Sequence, residues 1–449
     1  MHMDPMLPGD PASTVATGMA AVPATAATRA RWRMAALIFL VSVITFIDRV
    51  NITIAARMII PEYGLSEVQM GTIFSAFVLG YTIGFLPGGS LADRFGSRQT
   101  LGIAMIVWSV LTAATAWAGN IFLASLLGVV PSFVAIRLLF GIAEGPTLPT
   151  LNRLIGHWFP TGEKGLATSM MTVGIGFGAV TGPPLVSWIM NGFGWRAVFV
   201  VMGGMGLLVG WVWYAWARDS PDVHRGVNEA ELALIRKSAA SVPGVTATPD
   251  GASWGVFARN PNLWMIVVSY ALLAYVGYTF THWLYLYLVN QLKIEATRAA
   301  WCVTLPFVAT MVLSPLGARM SDVATERWGR RPGRIGTACL SLLLSTGTLY
   351  TGASSLDPVW ALAFLSVAHG LMFIVVSVML TTVAEMMPSH VGAATGLLMT
   401  GGHVGAIIAP TLSPMLAAAF GWQAVFQIMA LFTLLSGVVL ACVNPATRN

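Results

Sequence analysis

Apolar residues fall in long runs broken by short polar or glycine-rich stretches, and the runs recur twelve times along the chain. We read them as 34–56, 68–92, 100–118, 130–154, 165–190 and 195–217. After a long polar gap come 262–289, 298–320, 334–354, 358–385, 392–418 and 422–443. A helix needs roughly 20 apolar residues to cross the hydrocarbon core. Backbone groups find no water there, so each run must satisfy its own hydrogen bonds as a helix. The pattern predicts an all-α membrane protein with twelve transmembrane helices.

Composition leads to the same class. Hydrophobic residues make up 56% of the chain and charged residues only 9%, with mean hydropathy +0.75. Soluble domains carry roughly 25% charged residues, so too few charges are present to cover a water-facing surface. Gly 46 and Pro 24 are high counts for soluble helices but are tolerated in membrane helices. The net charge of +6 raises the question of nucleic acid, and its distribution answers it. Arg and Lys crowd alternate loops, from Arg29, Arg31 and Arg33 to Arg330, Arg331 and Arg334. The other side holds only Arg57, Arg196, Lys293 and Arg298. This asymmetry predicts both termini in the cytoplasm of a bacterial-type inner membrane, with lipid and not nucleic acid as the large partner. Cys302, Cys339 and Cys442 show neither pairing nor metal spacing and read as small core residues; no metal or cofactor is expected.

The chain repeats itself. An offset of 227 residues carries 167–199 onto 394–426 without a gap, so that Gly178-Ala179 meets Gly405-Ala406 and Phe193-Gly194-Trp195 meets Phe420-Gly421-Trp422. Earlier in each half, Asp93-Arg94-Phe95-Gly96-Ser97-Arg98 corresponds to Asp322, four inserted residues, then Arg327-Trp328-Gly329-Arg330-Arg331. Two matches in one order indicate a duplication of six spans. The result is two parallel, pseudo-symmetric bundles with a site between them, the plan of secondary transporters. The expected division is a disordered cytoplasmic tail over 1–33 and an N-terminal bundle over 34–217. A cytoplasmic linker follows over 218–261, then a C-terminal bundle over 262–443 and a cytoplasmic terminus over 444–449. Residues 1–28 lack a basic segment followed by an apolar one, so the tail does not read as a cleaved signal. In the linker, Asn228-Glu229-Ala230-Glu231 has a capping-box pattern. It is open to two readings, a short helix around 229–240 or a solvated linker.

Gly89-Ser90-Leu91-Ala92-Asp93-Arg94-Phe95-Gly96-Ser97-Arg98 resembles the Gly-x-x-x-Asp-Arg-x-Gly-x-Arg loop of the major facilitator superfamily. The resemblance implies the fold of two six-helix bundles and a charge relay that latches one conformation. Its members here would be Asp93, Arg94 and Arg98, with Asp322, Arg327 and Arg331 in the repeat. Phe46-Ile47-Asp48-Arg49-Val50-Asn51 and Arg137-Leu138-Leu139-Phe140-Gly141-Ile142-Ala143-Glu144-Gly145 resemble signatures of the anion:cation symporter branch. Trp283-Leu284-Tyr285-Leu286-Tyr287-Leu288 looks like that branch's Trp-Leu-Pro-Thr-Tyr-Leu without the Pro. This implies uptake of organic anions such as sugar acids, aromatic acids and small dicarboxylates, driven by H+ or Na+. Sugar-acid members carry Gln where this chain has Gly174 and Asn where it has His403. Losing both groups argues against a polyhydroxylated substrate. The set Tyr270, Tyr275, Tyr278, Trp283, Tyr285 and Tyr287 favours an aromatic or less hydroxylated acid.

Four ionisable residues, Asp48, Arg49, Arg137 and Glu144, stand in otherwise apolar spans. A mid-span Asp or Arg costs roughly 2.5–3.5 kcal/mol on insertion scales, so such groups face a cavity, pair with each other, or function. Arg137 and Glu144 are seven apart and share a helix face; Asp48 and Arg49 point about 100° apart, which suggests two sub-sites. A buried Arg stays charged and its fork matches a carboxylate. A buried carboxylate can take a proton when its partner leaves. We therefore expect Arg49 and Arg137 to bind substrate and Asp48 and Glu144 to couple protons; the other reading is a static ion-pair lattice. Tyr81, Tyr278, His282 and His403 complete the expected binding set, with Tyr81 equally readable as a packed aromatic. The expected protein is a non-enzymatic, monomeric, proton-coupled symporter of an organic anion. The alternative is a proton-driven drug or metabolite antiporter, suggested by Gly178-Ala179-Val180-Thr181-Gly182-Pro183.

Overall fold

The computed structural model describes residues 26–120, 122–240, 254–355 and 357–445. Residues 1–25 of the expected tail (1–33) and 446–449 of the expected terminus (444–449) lie outside them, and 30–33 belong to the first helix and not to a disordered tail. The described residues form helices joined by short turns, with no strand among them. The first six membrane-length segments are α1 (Ala30–Tyr63), α2 (Glu67–Phe95), α3 (Ser97–Thr115), α4 (Val129–Trp158), α5 (Thr161–Phe193) and α6 (Trp195–Trp216). The second six are α7 (Pro261–Asn290), α8 (Ala296–Trp328), α9 (Thr337–Ser354), α10 (Pro358–Met386), α11 (391–420) and α12 (422–441). The first begins at 30, four residues before the apolar run, because Arg31 finds partners there.

Both halves are packed the same way, for a reason visible in the repeat. Gly178 on α5 lets that helix approach α1 so closely that a Cβ would meet the Val43 carbonyl at 2.7 Å. Its mate Gly405 does the same on α11 against the Ala271 carbonyl of α7. Small residues at such crossings replace hydrophobic driving force, which lipid does not supply, with close backbone packing. Gly194 and Gly421, also mates, take φ of 81° and 82° and turn the chain from α5 to α6 and from α11 to α12. Left-handed backbone of this kind is where glycine pays no Cβ penalty.

The halves meet away from the chain termini. There Ser75 Oγ lies 2.9 Å from Thr411 Oγ1, the Trp422 indole donates to Glu67 at 3.2 Å, and Phe74 packs against Trp283 at 5.5 Å. Gly71 abuts the Pro410 carbonyl. At the end that carries the termini, every ion pair among the described residues joins elements within one half or to the linker. The halves are thus tied together at one end, and the ion pairs among the described residues tie nothing across them at the other.

The linker helix, Glu229–Ala240, is present. Asn228 caps it, its Oδ1 accepting from Glu231 N at 2.9 Å. The return half of the expected box differs. Glu231 does not reach back to Asn228 but accepts from Thr28 Oγ1 (2.6 Å), Ala30 N (3.1 Å), Arg31 N (3.1 Å) and Arg31 Nη1 (2.9 Å). The first turn of α1 offers unpaired amides and a guanidinium, a stronger donor set than one cap amide. Arg31 continues to Glu163 at the start of α5 (2.7 Å), so the linker is tied to two helices of the N-terminal half.

Candidate functional site

Between the halves lies a cavity of about 160 Å³. Its walls come from α1 (Phe46, Arg49), α2 (Phe77), α7 (Tyr278, His282), α8 (Phe307) and α10 (His369, Phe373), among others. The lining is mostly aromatic and aliphatic. Arg49 is the one fixed cation among the described lining residues. Its Nε donates to Glu144 Oε1 at 2.6 Å, with the Glu144 side chain fully buried and that of Arg49 18% exposed. The guanidinium stands 4.3 Å from the centre of the Tyr81 ring and 5.8 Å from that of Phe77. Aromatic faces of this kind favour a cation where water is scarce.

A second layer of charge lies behind that wall. Asp48 and Arg137 are buried in the N-terminal half. Arg137 stacks its guanidinium over Phe140 (4.5 Å) and Phe77 (5.1 Å). Among the described residues its Nε and Nη1, both carboxylate oxygens of Asp48 and Oε2 of Glu144 meet no hydrogen-bond partner. The electrostatic neighbours of Asp48 are Glu144, Arg137 and the Trp108 indole. Glu144 therefore stands between the cations: it holds Arg49 in the cavity wall and faces Arg137 on its own helix. Asn51, one turn from Asp48, is buried with its amide unpartnered, and so are the hydroxyls of Thr45, Ser109 and Thr112. Unsatisfied buried polar atoms cost about 1–3 kcal/mol each.

A further cavity, lined by hydroxyls of Thr168, Ser169, Thr172, Thr310 and Ser314, runs toward the end that carries the termini. It shares Phe46, Phe307, His369 and Phe373 with the central one, and Phe46 meets Phe307 edge-on at 5.7 Å across the two halves.

The family model described as the Major Facilitator Superfamily matches residues 38–297 and 285–448. The chain belongs to the Major Facilitator Superfamily. It is a multi-pass membrane transporter with the superfamily's twelve-helix, two-bundle fold, and not an enzyme. Among curated relatives, a D-galactonate transporter from Escherichia coli O6:H1 is 30% identical, over 88% of this chain and 91% of its own. A probable sulfoacetate transporter from Cupriavidus necator is 30% identical, over 82% and 83%. The fold matches the crystal structure of a bacterial homologue of the human lysosomal transporter Spinster, inward-facing and unoccupied. That match has a TM-score of 0.75, 18% identity and coverage of 92% and 97%.

In this Major Facilitator Superfamily transporter the expected residues divide by position. Arg49, Tyr278 and His282 line the central cavity. Tyr81 is buried beneath Arg49 and packs edge-on against His403 at 5.7 Å. Arg137, Asp48 and Glu144 form the layer behind. The loop motif assembles locally: Asp93 accepts from Arg153 at 2.8 Å, and Arg98 donates through its side chain to the Tyr214 carbonyl and through its amide to Asp219. Arg94 lies over Phe95. In the second half Asp322 pairs with Arg334 (2.5 Å), which also holds Glu385 on α10 (2.7 Å). Arg327 and Arg331 enter no ion pair among the described residues. Sequence reasoning did not single out Arg153, Glu385 or a pairing role for Arg334, since neither motif nor spacing joins them to an Asp far along the chain. His369 also stands in two cavity walls, a place that comes from the packing of α8 on α10.

Proposed function

We propose that the protein takes up an organic anion by proton-coupled symport across a bacterial inner membrane, acting as a monomer with both termini in the cytoplasm. The observation that carries this reading is the Arg49–Glu144 pair, a cation on the cavity wall held by one buried carboxylate. The relatives named for galactonate and sulfoacetate agree with an anionic cargo. An arriving carboxylate competes for the Arg49 fork. Glu144, losing its partner in an apolar wall, takes a proton; Asp48, facing Arg137, is the second candidate carrier. An anion entering alone would move against the inside-negative potential, at about 2.3 kcal/mol per charge per 100 mV. Co-moving protons offset that work. Arg and Lys crowd the loops at the open end, so the conformation reads as inward-facing. The test is uptake into proteoliposomes with and without an imposed pH gradient, beside counterflow. Asp48→Asn and Glu144→Gln should lose uphill accumulation. Proton-driven accumulation surviving in both would sink the coupling scheme.

The paired loop motifs fit a latch that holds the open end together in the other conformation. Asp93 is 75% exposed in its side chain and so is free to exchange Arg153 for another cation when the halves close. Asp93→Asn should raise labelling of cysteines placed in the open-end vestibule; unchanged labelling counts against the latch.

A further inference from the structure

We propose that the central cavity selects a carboxylate bearing a hydrogen-bond donor at its far end, a hydroxylated aromatic monocarboxylate, through Nε2 of His282 or of His369. This rests on the anion reading above and adds the identity of the anion.

The tautomers follow from the partners. His282 Nδ1 lies 2.9 Å from the Tyr278 carbonyl oxygen. A carbonyl only accepts, so Nδ1 carries the hydrogen. His369 Nδ1 lies 2.8 Å from Thr310 Oγ1 and 3.2 Å from the Pro306 carbonyl. The Thr310 hydroxyl donates its single hydrogen to that same carbonyl at 3.0 Å, so Nδ1 again donates. A neutral imidazole with its hydrogen on Nδ1 keeps Nε2 as its acceptor. Each ring then presents Nε2 as a lone pair. No hydrogen bond to either Nε2 is found among the described residues, and both rings line the cavity. Aromatic neighbours hold the rings in place: Tyr278 stacks on His282 at 5.7 Å, and Phe280, Phe307 and Phe373 enclose His369 at 5.0, 5.4 and 4.8 Å.

The cavity thus has two poles. Arg49 on α1 supplies donors for one carboxylate; the imidazoles on α7 and α10 supply acceptors from the opposite half. Between them Phe46, Phe77, Phe307 and Phe373 form walls suited to a flat ring. A single fixed cation favours one carboxylate over two. A sugar acid would bring several hydroxyls into an aromatic box, and each one left unpaired weakens binding. A ring with one hydroxyl meets the acceptor pole and leaves none unpaired. Because the poles belong to different halves, only a ligand carrying both groups ties the halves together.

The experiment is calorimetric binding to the full-length protein in nanodiscs. The probes are the hydroxybenzoate isomers and 4-hydroxyphenylacetate, each beside its methyl ether and its unsubstituted parent, with gluconate as the sugar acid. At least one hydroxylated acid should bind about tenfold more tightly than both its ether and its parent. That ratio should fall toward one in His282→Phe or His369→Phe and recover partly in the Gln variants, whose amide oxygen accepts. A methyl ether or parent binding as tightly as every hydroxylated acid overturns the proposal, as does a ratio unchanged in both Phe variants. Binding that depends on Arg49 but ignores the hydroxyl, or that favours gluconate, overturns this inference alone. Absence of carboxylate binding across the panel overturns the anion reading with it. The wild-type comparison stands even where a variant fails to fold.

Discussion

Replacing Glu144 with Gln should tighten substrate binding, not weaken it. In the structure Glu144 occupies the fork that a substrate carboxylate needs. The contact is a single one, Nε to Oε1 at 2.6 Å, and Oε2 has no partner. A charge-assisted hydrogen bond contributes about 1.5–3 kcal/mol net. At about 1.4 kcal/mol per factor of ten, freeing Arg49 strengthens binding on the order of 10- to 100-fold wherever the wild-type carboxylate is charged. Arg49 stays in position because the Tyr81 face still supports it at 4.3 Å. The wild type reaches the same released state when Glu144 is protonated, so its affinity should rise as pH falls, while the variant should be tight and flat with pH. The assay is calorimetric titration at a series of pH values, using the tightest-binding carboxylate of the benzoate panel, beside counterflow and gradient-driven uptake. Counterflow should persist and uphill accumulation should vanish. A variant with wild-type affinity and wild-type pH dependence would refute the competition; loss of binding would place Glu144 in contact with the substrate.

Arg49→Gln should weaken carboxylate binding by roughly 100-fold, the value of a lost charged hydrogen-bond pair, while the protein still elutes as a folded species; wild-type affinity would put the anchor elsewhere. Gly71→Ala drives a Cβ into the Pro410 carbonyl where α2 and α11 cross at the closed end. A reporter cysteine placed at Thr411 should become more accessible to a membrane-impermeant reagent from that side, and unchanged labelling would mean the crossing yields elsewhere. Glu231→Gln should lower the thermal stability of the solubilised protein at neutral pH, by roughly 1–3 kcal/mol. Burial pushes the Glu231 carboxyl up, but the Thr28 hydroxyl, the Arg31 and Ala30 amides and the Arg31 guanidinium together hold it below the usual carboxylate range. A carboxyl lowered in this way stabilises the fold above its unfolded pKa of about 4.3 and loses that contribution as pH falls through the folded value. The difference from wild type should therefore shrink on acidification, and a constant difference would show that charge is not the cause.

Much of this protein is written in its sequence because lipid as a solvent leaves few alternatives. An apolar run of membrane length must be a helix, so the twelve segments followed from hydropathy alone, with ends shifted by a few residues where charged ends such as Arg31 found partners. Duplication pairs Gly178 with Gly405 and Gly194 with Gly421 in the sequence itself, since a repeat preserves the contacts that packing requires. The cost of burying charge singled out Asp48, Arg49, Arg137 and Glu144. What the sequence did not contain was which of them meet. Adjacent residues on a helix diverge by about 100°, and only the approach of α4 to α1 decides that Arg49 takes Glu144 while Asp48 stays behind the wall. The same holds for His369, one imidazole among several along the chain, and for Glu231, whose spacing spelled a local capping box but whose side chain went to another helix. Local patterns report what one element can do by itself. Partners distant in the chain are chosen by how helices cross, and in a bundle closed at one end and open at the other that choice also sets the conformation.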